Sequence, residues 1–452
     1  MKQRTPKRAP RRKQTPDFPI RVTKLSHEGR GLVRWGERML FIDGALPDEL
    51  VSVRVTKKSS KTAEGVAKEI LVPSPARGQP ECPHAAVCGG CSLQHLPHQS
   101  QINHKSNTLD ELMTREGIAL DQVTRLPPLL GPTLGYRRRA RLGVRWVHAK
   151  GRVLVGFRER GSNFIADIDG CPVLDPRIGQ SLDQLETTIA ALSAPDRIPQ
   201  VEVAAGDDTV AVVVRHLEPL SAADLEQWIH LAKSTGWHVY LQPKGPDTVA
   251  RLWPADGPER LTYRIGEFGL EYQFAVTDFT QINAAMNRAM MMQAMELLDL
   301  KGSERVLDLF CGLGNFTLAA ATRSREVVGV EVSETMVHRV LQNARHNSLD
   351  NIQAVAFDLT KSIAEQSWAK EPWDTLIVDP PRSGAKEVLE ELPLKNIQRV
   401  LYVSCNPATL ARDAKLLIER GFKMTHLGMM DMFPHTAHME SMALFVQRGA
   451  RG

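Results

Sequence analysis

From about residue 266 onward the chain alternates short apolar runs with helical patterns, and this alternation limits its fold more than any other feature. The runs are "RVLDLFCG", "EVVGVEV", "IQAVAFD", "TLIVDPP", "RVLYVSCNP" and "ALFVQR". Apolar runs of strand length separated by helical stretches read as a mostly parallel sheet covered by helices. Residues 266–452 are therefore expected to form a doubly wound, Rossmann-like α/β domain. Ligands of such sheets sit beyond the carboxyl ends of the strands, so the residues that follow each run are the candidates for chemistry.

The rest of the chain is organised differently. Residues 17–72 alternate apolar and polar residues between Gly and Pro turns, the pattern of a small β-barrel. Lys57, Lys58 and Lys61 fall where a hairpin loop is expected. A Pro/Cys/Gly stretch, 73–95, has little periodicity and needs something other than apolar burial to order it. A helix is expected over 98–117, and 134–260 returns to strands with one clear helix at 221–235.

Net charge is +5, but residues 1–13 alone carry Lys2, Arg4, Lys7, Arg8, Arg11, Arg12 and Lys13 without an acid. Segment 1–14 thus reads as a disordered basic tail able to condense on nucleic acid. No apolar run is long enough to span a bilayer, and no apolar stretch follows the basic start. The expectation is a cytoplasmic protein without membrane contact.

"VLDLFCGLGNFTLAAA" is an apolar strand, a Gly-rich turn and a helix. Gly312 and Gly314 let backbone approach a ligand where side chains would clash. Glu331, about 20 residues on, ends the next strand and can accept both hydroxyls of a ribose. Asp358 ends a third strand, in reach of an adenine amino group, and "VDPPRSG" ends a fourth. The turn follows D-L-F-C-G-x-G rather than the dinucleotide pattern G-x-G-x-x-G, which points to S-adenosylmethionine (SAM). Cys311, inside the turn, reads as a small buried residue.

"RVLYVSCNPATLARD" places Cys405 between a strand and a helix N-terminus, a position that favours a thiolate. Carbon 5 of uracil is a poor nucleophile. A thiolate that adds to carbon 6 makes carbon 5 reactive, and a base must later remove the carbon 5 proton. "MFPHTAHMESMALF" offers Glu440, His435 and His438 for that task, and the residues alone do not rank them. Asp379 in "VDPPRSG" can accept the uracil N3–H. Arg382 stands where cytosine-C5 enzymes carry a cysteine, and the stretch is not the Asn-Pro-Pro-aromatic of adenine-N6 enzymes.

"ECPHAAVCGGCSLQH" spaces Cys82, Cys88 and Cys91 as C-x5-C-x2-C, with Cys171 far downstream. Four thiolates suit an iron–sulfur cluster or a structural zinc. The tight Gly-Gly loop favours the bulkier cluster, and the paired C-x2-C spacing usual for zinc is absent. "YRRRARLGVRW" puts Arg137, Arg139 and Arg141 on one face of an expected strand, with Tyr136 or Trp146 placed to stack a base.

Together these motifs resemble the bacterial 23S rRNA uracil-C5 methyltransferases of the RlmD (RumA) type, from about residue 15 to 452. The resemblance implies a TRAM barrel (OB-like, 15–72), a central α+β domain holding a [4Fe–4S] cluster (73–265) and a SAM-binding methyltransferase domain (266–452). It implies that Cys82, Cys88, Cys91 and Cys171 hold the cluster, that Cys405 is the nucleophile and that Glu440 is the general base. It implies SAM contacts from Gln281, Phe310, Asn315, Glu331, Asp358 and Asp379; Gln281 and its neighbour Phe279 carry no signal without it. The family often has an amide where this chain has Asp358, and either group accepts a hydrogen bond. Relatives acting on tRNA typically lack both barrel and cysteines, and a second rRNA enzyme keeps the cysteines without the barrel. Having both favours the uracil 1939 class, with 23S rRNA as partner and a monomer as the working form. The competing expectations are a tRNA or other rRNA uracil methyltransferase and a non-catalytic RNA-binding assembly factor.

Overall fold

The computed structural model describes residues 16–449, so the basic segment 1–14 lies outside it. The described residues fall into two compact units, one of residues up to 81 with 91–100 and 435–437, the other of 82–90, 101–434 and 438 onward.

The first unit carries strands β1 (Phe18–Arg21), β2 (Lys24–Leu25), β3 (Gly31–Trp35), β4 (Arg38–Asp43), β5 (Leu50–Lys58) and β6 (Thr62–Val72) in the order β1-β5-β6-β4-β3-β2. β1 and β2 are near neighbours in sequence yet stand at opposite ends of this order. The sheet must therefore curl until its ends meet, which makes the expected barrel. Period-two alternation sends Leu40, Ile42, Val51 and Val53 inward. Glu49 is buried among them, and both its oxygens are used: Arg77 donates at 2.5 and 2.8 Å, and the amides of Leu46 and Ser74 at 2.8 and 3.2 Å. Lys61 lies in the β5–β6 turn, whereas Lys57 and Lys58 end β5.

In the second unit, helix α1 (His98–Arg115) enters from the first, and strand β7 (Thr124–Arg125) follows it. A central sheet then forms from β8 (Arg139–Val147), β9 (Arg152–Gly156), β10 (Gln200–Ala205), β11 (Val210–Arg215), β12 (His238–Gln242) and β13 (Ala250–Trp253). Its order is β13-β12-β11-β10-β8-β9. Short α2 (Pro176–Gly179) and then α3 (Leu182–Ala190) lie between β9 and β10, and α4 (Ala222–Thr235) joins the parallel pair β11 and β12. Leu185 and Ile189 of α3 and Trp228 and Leu231 of α4 pack with Val201, Val212 and Val239. α4 matches its sequence expectation because its ends are marked: Ser221 and Asp224 form a capping box, and Gly236 closes it in the left-handed conformation. α3 has no side-chain cap hydrogen bond, and the sequence reading passed over it.

A hairpin of β14 (Leu261–Ile265) and β15 (Leu270–Phe274) precedes α5 (Ala284–Leu298). The alternation then runs β16 (Arg305–Leu309), α6 (Asn315–Ala321), β17 (Glu326–Glu331), α7 (Glu334–His346), β18 (Ile352–Ala356), α8 (Ser367–Lys370), β19 (Thr375–Val378), α9 (Lys386–Glu391), β20 (Arg399–Ser404), α10 (Pro407–Glu419), β21 (Phe422–Met430) and β22 (Glu440–Gln447). The sheet order is β18-β17-β16-β19-β20-β22-β21-β7. β16 to β20 pair in parallel, and β22 lies antiparallel to both β20 and β21.

Alternation splits the core in two. Leu307, Leu309, Leu376, Val378, Val400 and Tyr402 face α1, α9 and α10, whereas Val306, Ile377, Leu401 and Val403 face α5 and α6. That is the doubly wound arrangement expected from the sequence. It also lines up the exits of β17, β16, β19 and β20, neighbours in the sheet, along one edge. Ile102, Leu109, Leu112 and Met113 of α1 belong to this core although they precede the central sheet in the chain. Among the described residues no helix is long and apolar enough to cross a membrane.

Candidate active site

At the exit of β16 the chain turns sharply. Phe310 has φ of +62°, a backbone state rare for an aromatic residue, and Gly312 and Gly314 have φ of +56° and +94°. A side chain on Gly314 would strike Leu318 and Val340, whereas one on Gly312 would meet nothing within 4 Å. The open side at Gly312 is the room a ligand needs. Glu331, at the exit of β17, accepts from the amides of Gly312 (3.2 Å) and Ser333 (3.1 Å), which fixes its carboxylate beside the turn. Cys311 is buried, close to Gly329, and burial raises its thiol well above the usual range. It is an inert packing residue, as expected.

The other expected SAM residues stand in different settings. Asn315 opens α6, but its amide exchanges hydrogen bonds with Asn287 (2.8 and 3.2 Å) and accepts one from Tyr263 (3.0 Å). That leaves its main chain, at a helix N-terminus, facing the turn. Asp358 accepts from the Thr360 hydroxyl (2.6 Å) and amide (3.1 Å), and these bonds lower its pKa. Gln281 is partly exposed and Phe279 is 71% exposed. Their segment is pinned where the Arg138 amide donates to the Ile282 carbonyl (2.8 Å) and Asn283 caps α5.

Asp308 lies within β16, fully buried, and accepts from the Thr317 hydroxyl at 2.6 Å. Burial lifts its carboxyl to about 7, opposed by Thr317 and reinforced by Asp379 and Glu331. Asp379, at the exit of β19, is likewise lifted to about 7 by desolvation.

One strand further along, Cys405 leaves β20. It is neither sealed in the core nor fully exposed. Asn406 accepts from the Ala408 amide (3.2 Å) as N-cap of α10 and donates to the Arg382 carbonyl (2.9 Å), which ties the Cys405 turn to "VDPPRSG". Glu440 opens β22, the antiparallel neighbour of β20, where Ser441 faces Ser404. Burial, then the charges of Glu440 and Asp379, push the Cys405 thiol up to about 11, and Arg382 pulls it down. Glu440 is buried and raised well above the carboxylate range by desolvation and Asp379, again opposed by Arg382. The structure thus brings Cys405, Glu440, Asp379 and Arg382 within electrostatic reach of one another. His435 lies in the other compact unit, and His438 is exposed against Phe433.

The arginine-rich segment departs from its reading. β8 begins only at Arg139, so Arg137 precedes the strand, bridging to Leu174 and Asn283. Tyr136 is buried and its hydroxyl donates to the Pro434 carbonyl (3.1 Å), so it offers no stacking face. Trp146 packs against the central core. Arg139 donates to the Asp278 carbonyl, while Arg141 is 69% exposed and pairs with Glu202 at 2.9 Å. The apolar face of the strand, Ala140, Leu142 and Val144, turns into the core, so Arg139 and Arg141 share the opposite face, as the alternation predicts, and only Arg137 falls outside the strand.

Cys82, Cys88 and Cys171 act on one another electrostatically: burial and then the other thiols raise Cys88 and Cys171, against backbone amides that lower them. Cys91 belongs to the other compact unit. All four are partly exposed and none forms a disulfide. Among the described residues no three His, Cys, Asp or Glu side chains converge as for a single metal ion.

The backbone of Phe310, the Asn287 and Tyr263 side chains that both bond Asn315, and Lys105, buried on α1, were not foreseen; only Lys105 left a trace in the sequence, as a charge on the apolar stripe of α1.

The fold has a solved counterpart. The crystal structure of Pyrococcus abyssi tRNA (uracil-54, C5)-methyltransferase in complex with S-adenosyl-L-homocysteine superposes with a TM-score of 0.73 at 24% identity, over 95% of this chain and 99% of that one. Residues 16–68 match the TRAM domain, and residues 259–448 match the tRNA (Uracil-5-)-methyltransferase family. The 23S rRNA (uracil(1939)-C(5))-methyltransferase RlmD of Alkalilimnicola ehrlichii is 50% identical over 96% of this chain and 97% of its own length. Its counterpart in Alcanivorax borkumensis is 48% identical over 97% of this chain and 98% of its own length. Similarity at this level, over nearly the whole of both chains, means that the protein belongs to the RlmD family of 23S rRNA (uracil(1939)-C(5))-methyltransferases.

Proposed function

We propose that this protein methylates carbon 5 of a uracil in 23S rRNA, the 1939 site of its relatives, through a covalent bond between Cys405 and carbon 6 of the base. The observation that carries the reading is the meeting of Cys405, Glu440, Asp379 and Arg382 at the exits of adjacent strands, beside the open glycine turn. Gly312, Glu331, Asp358, Gln281, Phe310 and the amide end of α6 at Asn315 line the space for SAM, which when bound supplies an electrophilic methyl group.

The residues divide the work. Asp379 accepts the uracil N3–H, which cytosine lacks. The Cys405 thiol gives up its proton to solvent water, and its sulfur adds to carbon 6 while the 5,6 electron pair moves toward the carbon 4 oxygen. Arg382 is the cation placed to favour both the thiolate and the developing charge. Carbon 5 then takes the methyl group. Glu440, once ionised, removes the carbon 5 proton; the electron pair re-forms the 5,6 double bond, and the Cys405 sulfur leaves. Burial gives Glu440 a raised pKa, which makes it a stronger base when ionised than an exposed carboxylate.

The four thiolates of Cys82, Cys88, Cys91 and Cys171 would hold a [4Fe–4S] cluster, a structural element outside the methyl-transfer site. The mutual influence of Cys82, Cys88 and Cys171 supports this. Iron and sulfide analysis after anaerobic purification tests it, and zinc alone would overturn it.

The test of the main reading is RNA with 5-fluorouracil at the target, mixed with protein and SAM. Fluorine cannot leave as a proton does, so the Cys405 adduct should persist on a denaturing gel. Absence of the adduct with the wild type, or its persistence in Cys405→Ala, would sink the mechanism. Mapping 5-methyluridine in a deletion strain separates an rRNA target from a tRNA one.

A further inference from the structure

The segment that leads from β21 toward Glu440 is held by buried polar side chains from three distant parts of the second unit. Lys105, on α1, donates to Asp431 Oδ1 (2.5 Å) and to the Phe433 carbonyl (3.1 Å), and both members of the ion pair are fully buried. Asn283, also buried, donates to the Met432 carbonyl (3.2 Å), and the Tyr136 hydroxyl reaches the Pro434 carbonyl (3.1 Å). The Asp431 amide donates to the Leu129 carbonyl (2.9 Å). Every residue from 431 to 434 therefore has at least one backbone or side-chain polar group fixed from outside the segment.

The position of this clamp decides its meaning. Met430 is the cross-strand partner of Glu440 in the β21–β22 ladder, and Asp431 follows it directly. A buried ion pair is a poor device for stability, because desolvating both charges offsets most of their attraction. An apolar pair of the same size would pack at least as well. What an apolar pair cannot do is hold a carboxylate and a carbonyl two residues apart on one point. An ammonium, with three donors, can.

We infer that Lys105, with Asp431, is a positioning residue for proton abstraction: it fixes the end of β21 and so sets Glu440 against carbon 5 of the uracil. The inference rests on the assignment of Glu440 as the base. It also explains why the Asn283 end of the Gln281 segment and the approach to Glu440 are tied together, since cofactor and base must face the same carbon.

The experiment uses the full-length protein, ordinary uridine RNA and SAM. Lys105→Met removes the cation and leaves the Asp431 carboxylate buried; the double variant Lys105→Met/Asp431→Leu removes both charges of the pair. In the double variant kcat should fall roughly 10- to 100-fold, the cost of a base displaced by about an ångström, with KM for RNA changed less than about twofold. Methyl transfer should still occur, so covalent protein–RNA complex should accumulate with unmodified RNA, as elimination becomes slow. Lys105→Arg, which keeps the cation, should recover part of the rate. A folded double variant with wild-type kcat, or one that loses activity without accumulating complex, overturns the inference. Glu440→Gln run alongside separates the two readings. If it also leaves no complex, the assignment of Glu440 falls and takes the inference with it. If it leaves complex and the double variant does not, only the inference falls.

Discussion

The proposed mechanism needs Cys405 as a thiolate to attack carbon 6, yet in the free protein its surroundings hold the thiol up at about 11. The fraction ionised should then rise about tenfold per pH unit across the neutral range. Alkylation of Cys405 by iodoacetamide, followed on its own peptide by mass spectrometry, should accelerate with that slope from pH 6 to 9. Arg382→Met should slow it at every pH, because a cation that favours the thiolate is gone. A plateau near pH 7 would contradict the assignment of these surroundings. Asp308 makes a second prediction. Its carboxyl is raised to about 7, so the folded state holds a proton that the unfolded chain releases near pH 4. Its contribution to stability is complete below the unfolded pKa and is lost as pH rises through the folded one. Asp308→Asn keeps a polar group for Thr317 and should flatten that loss, gaining about 4 kcal/mol relative to wild type at pH 8 over pH 4 in denaturant titrations. These residues differ in how legible they are. Cys405, Asp379 and Glu331 follow apolar runs directly, so strand ends found by pattern locate them. The left-handed backbone at Phe310 is a consequence of the turn's shape, which no residue preference announces. Glu440 could be shortlisted but not ranked against His435 and His438, because what favours it in the proposed mechanism, burial and its cross-strand position beside β20, is not local in sequence.

Helix α10 shows how one element holds two catalytic loops. Its N-cap Asn406 reaches the Arg382 carbonyl, and Asp413, fully buried, accepts from Tyr402 (2.6 Å), the Ala385 amide (2.7 Å) and Arg412 (2.7 Å). Arg412 in turn donates to the Ser383 carbonyl at 2.9 Å. Asn406→Ala should cost about 1 kcal/mol as a lost cap. Asp413→Ala strands two buried donors, the Tyr402 hydroxyl and the Ala385 amide, and should cost about 3 kcal/mol. Equilibrium unfolding in urea checks both, and equal effects would mean that the Asp413 network contributes little. The sequence revealed elements where amphipathic pattern and end signals agree, as in α4. It hid β21, whose "FKMTHLGMM" mixes alternation with a bulge between Met424 and His426. Lys105 was legible in retrospect: it stands in register with Ile102, Leu109 and Leu112, and a lysine on that stripe needs a buried partner. Nothing near it in sequence names that partner, Asp431, which lies more than 300 residues away.

At the scale of the molecule, the methyltransferase fold does not begin where its strand–helix alternation begins. The family match starts at residue 259, but α1 and the residues after it, Ile102, Leu109, Leu112, Met113, Ile118 and Val123, are buried in the core of the C-terminal sheet, and β7 extends that sheet beside β21. Burying six such side chains is worth on the order of 10 kcal/mol, comparable with the entire stability of a domain of this size. A fragment of residues 259–448 would expose the face they cover and would also lose Lys105, leaving Asp431 a buried charge without its cation. Such a fragment should bind a hydrophobic dye such as ANS, lack a sharp urea transition and show no adduct with 5-fluorouracil RNA, although it contains Cys405, Glu440 and the whole glycine turn. If it instead unfolded cooperatively and formed the adduct at the wild-type rate, the α1 face and the Lys105 clamp would both be dispensable. The prediction separates two accounts of the chain order: residues 98–125 as a link to a finished domain, or as part of the core that positions its base.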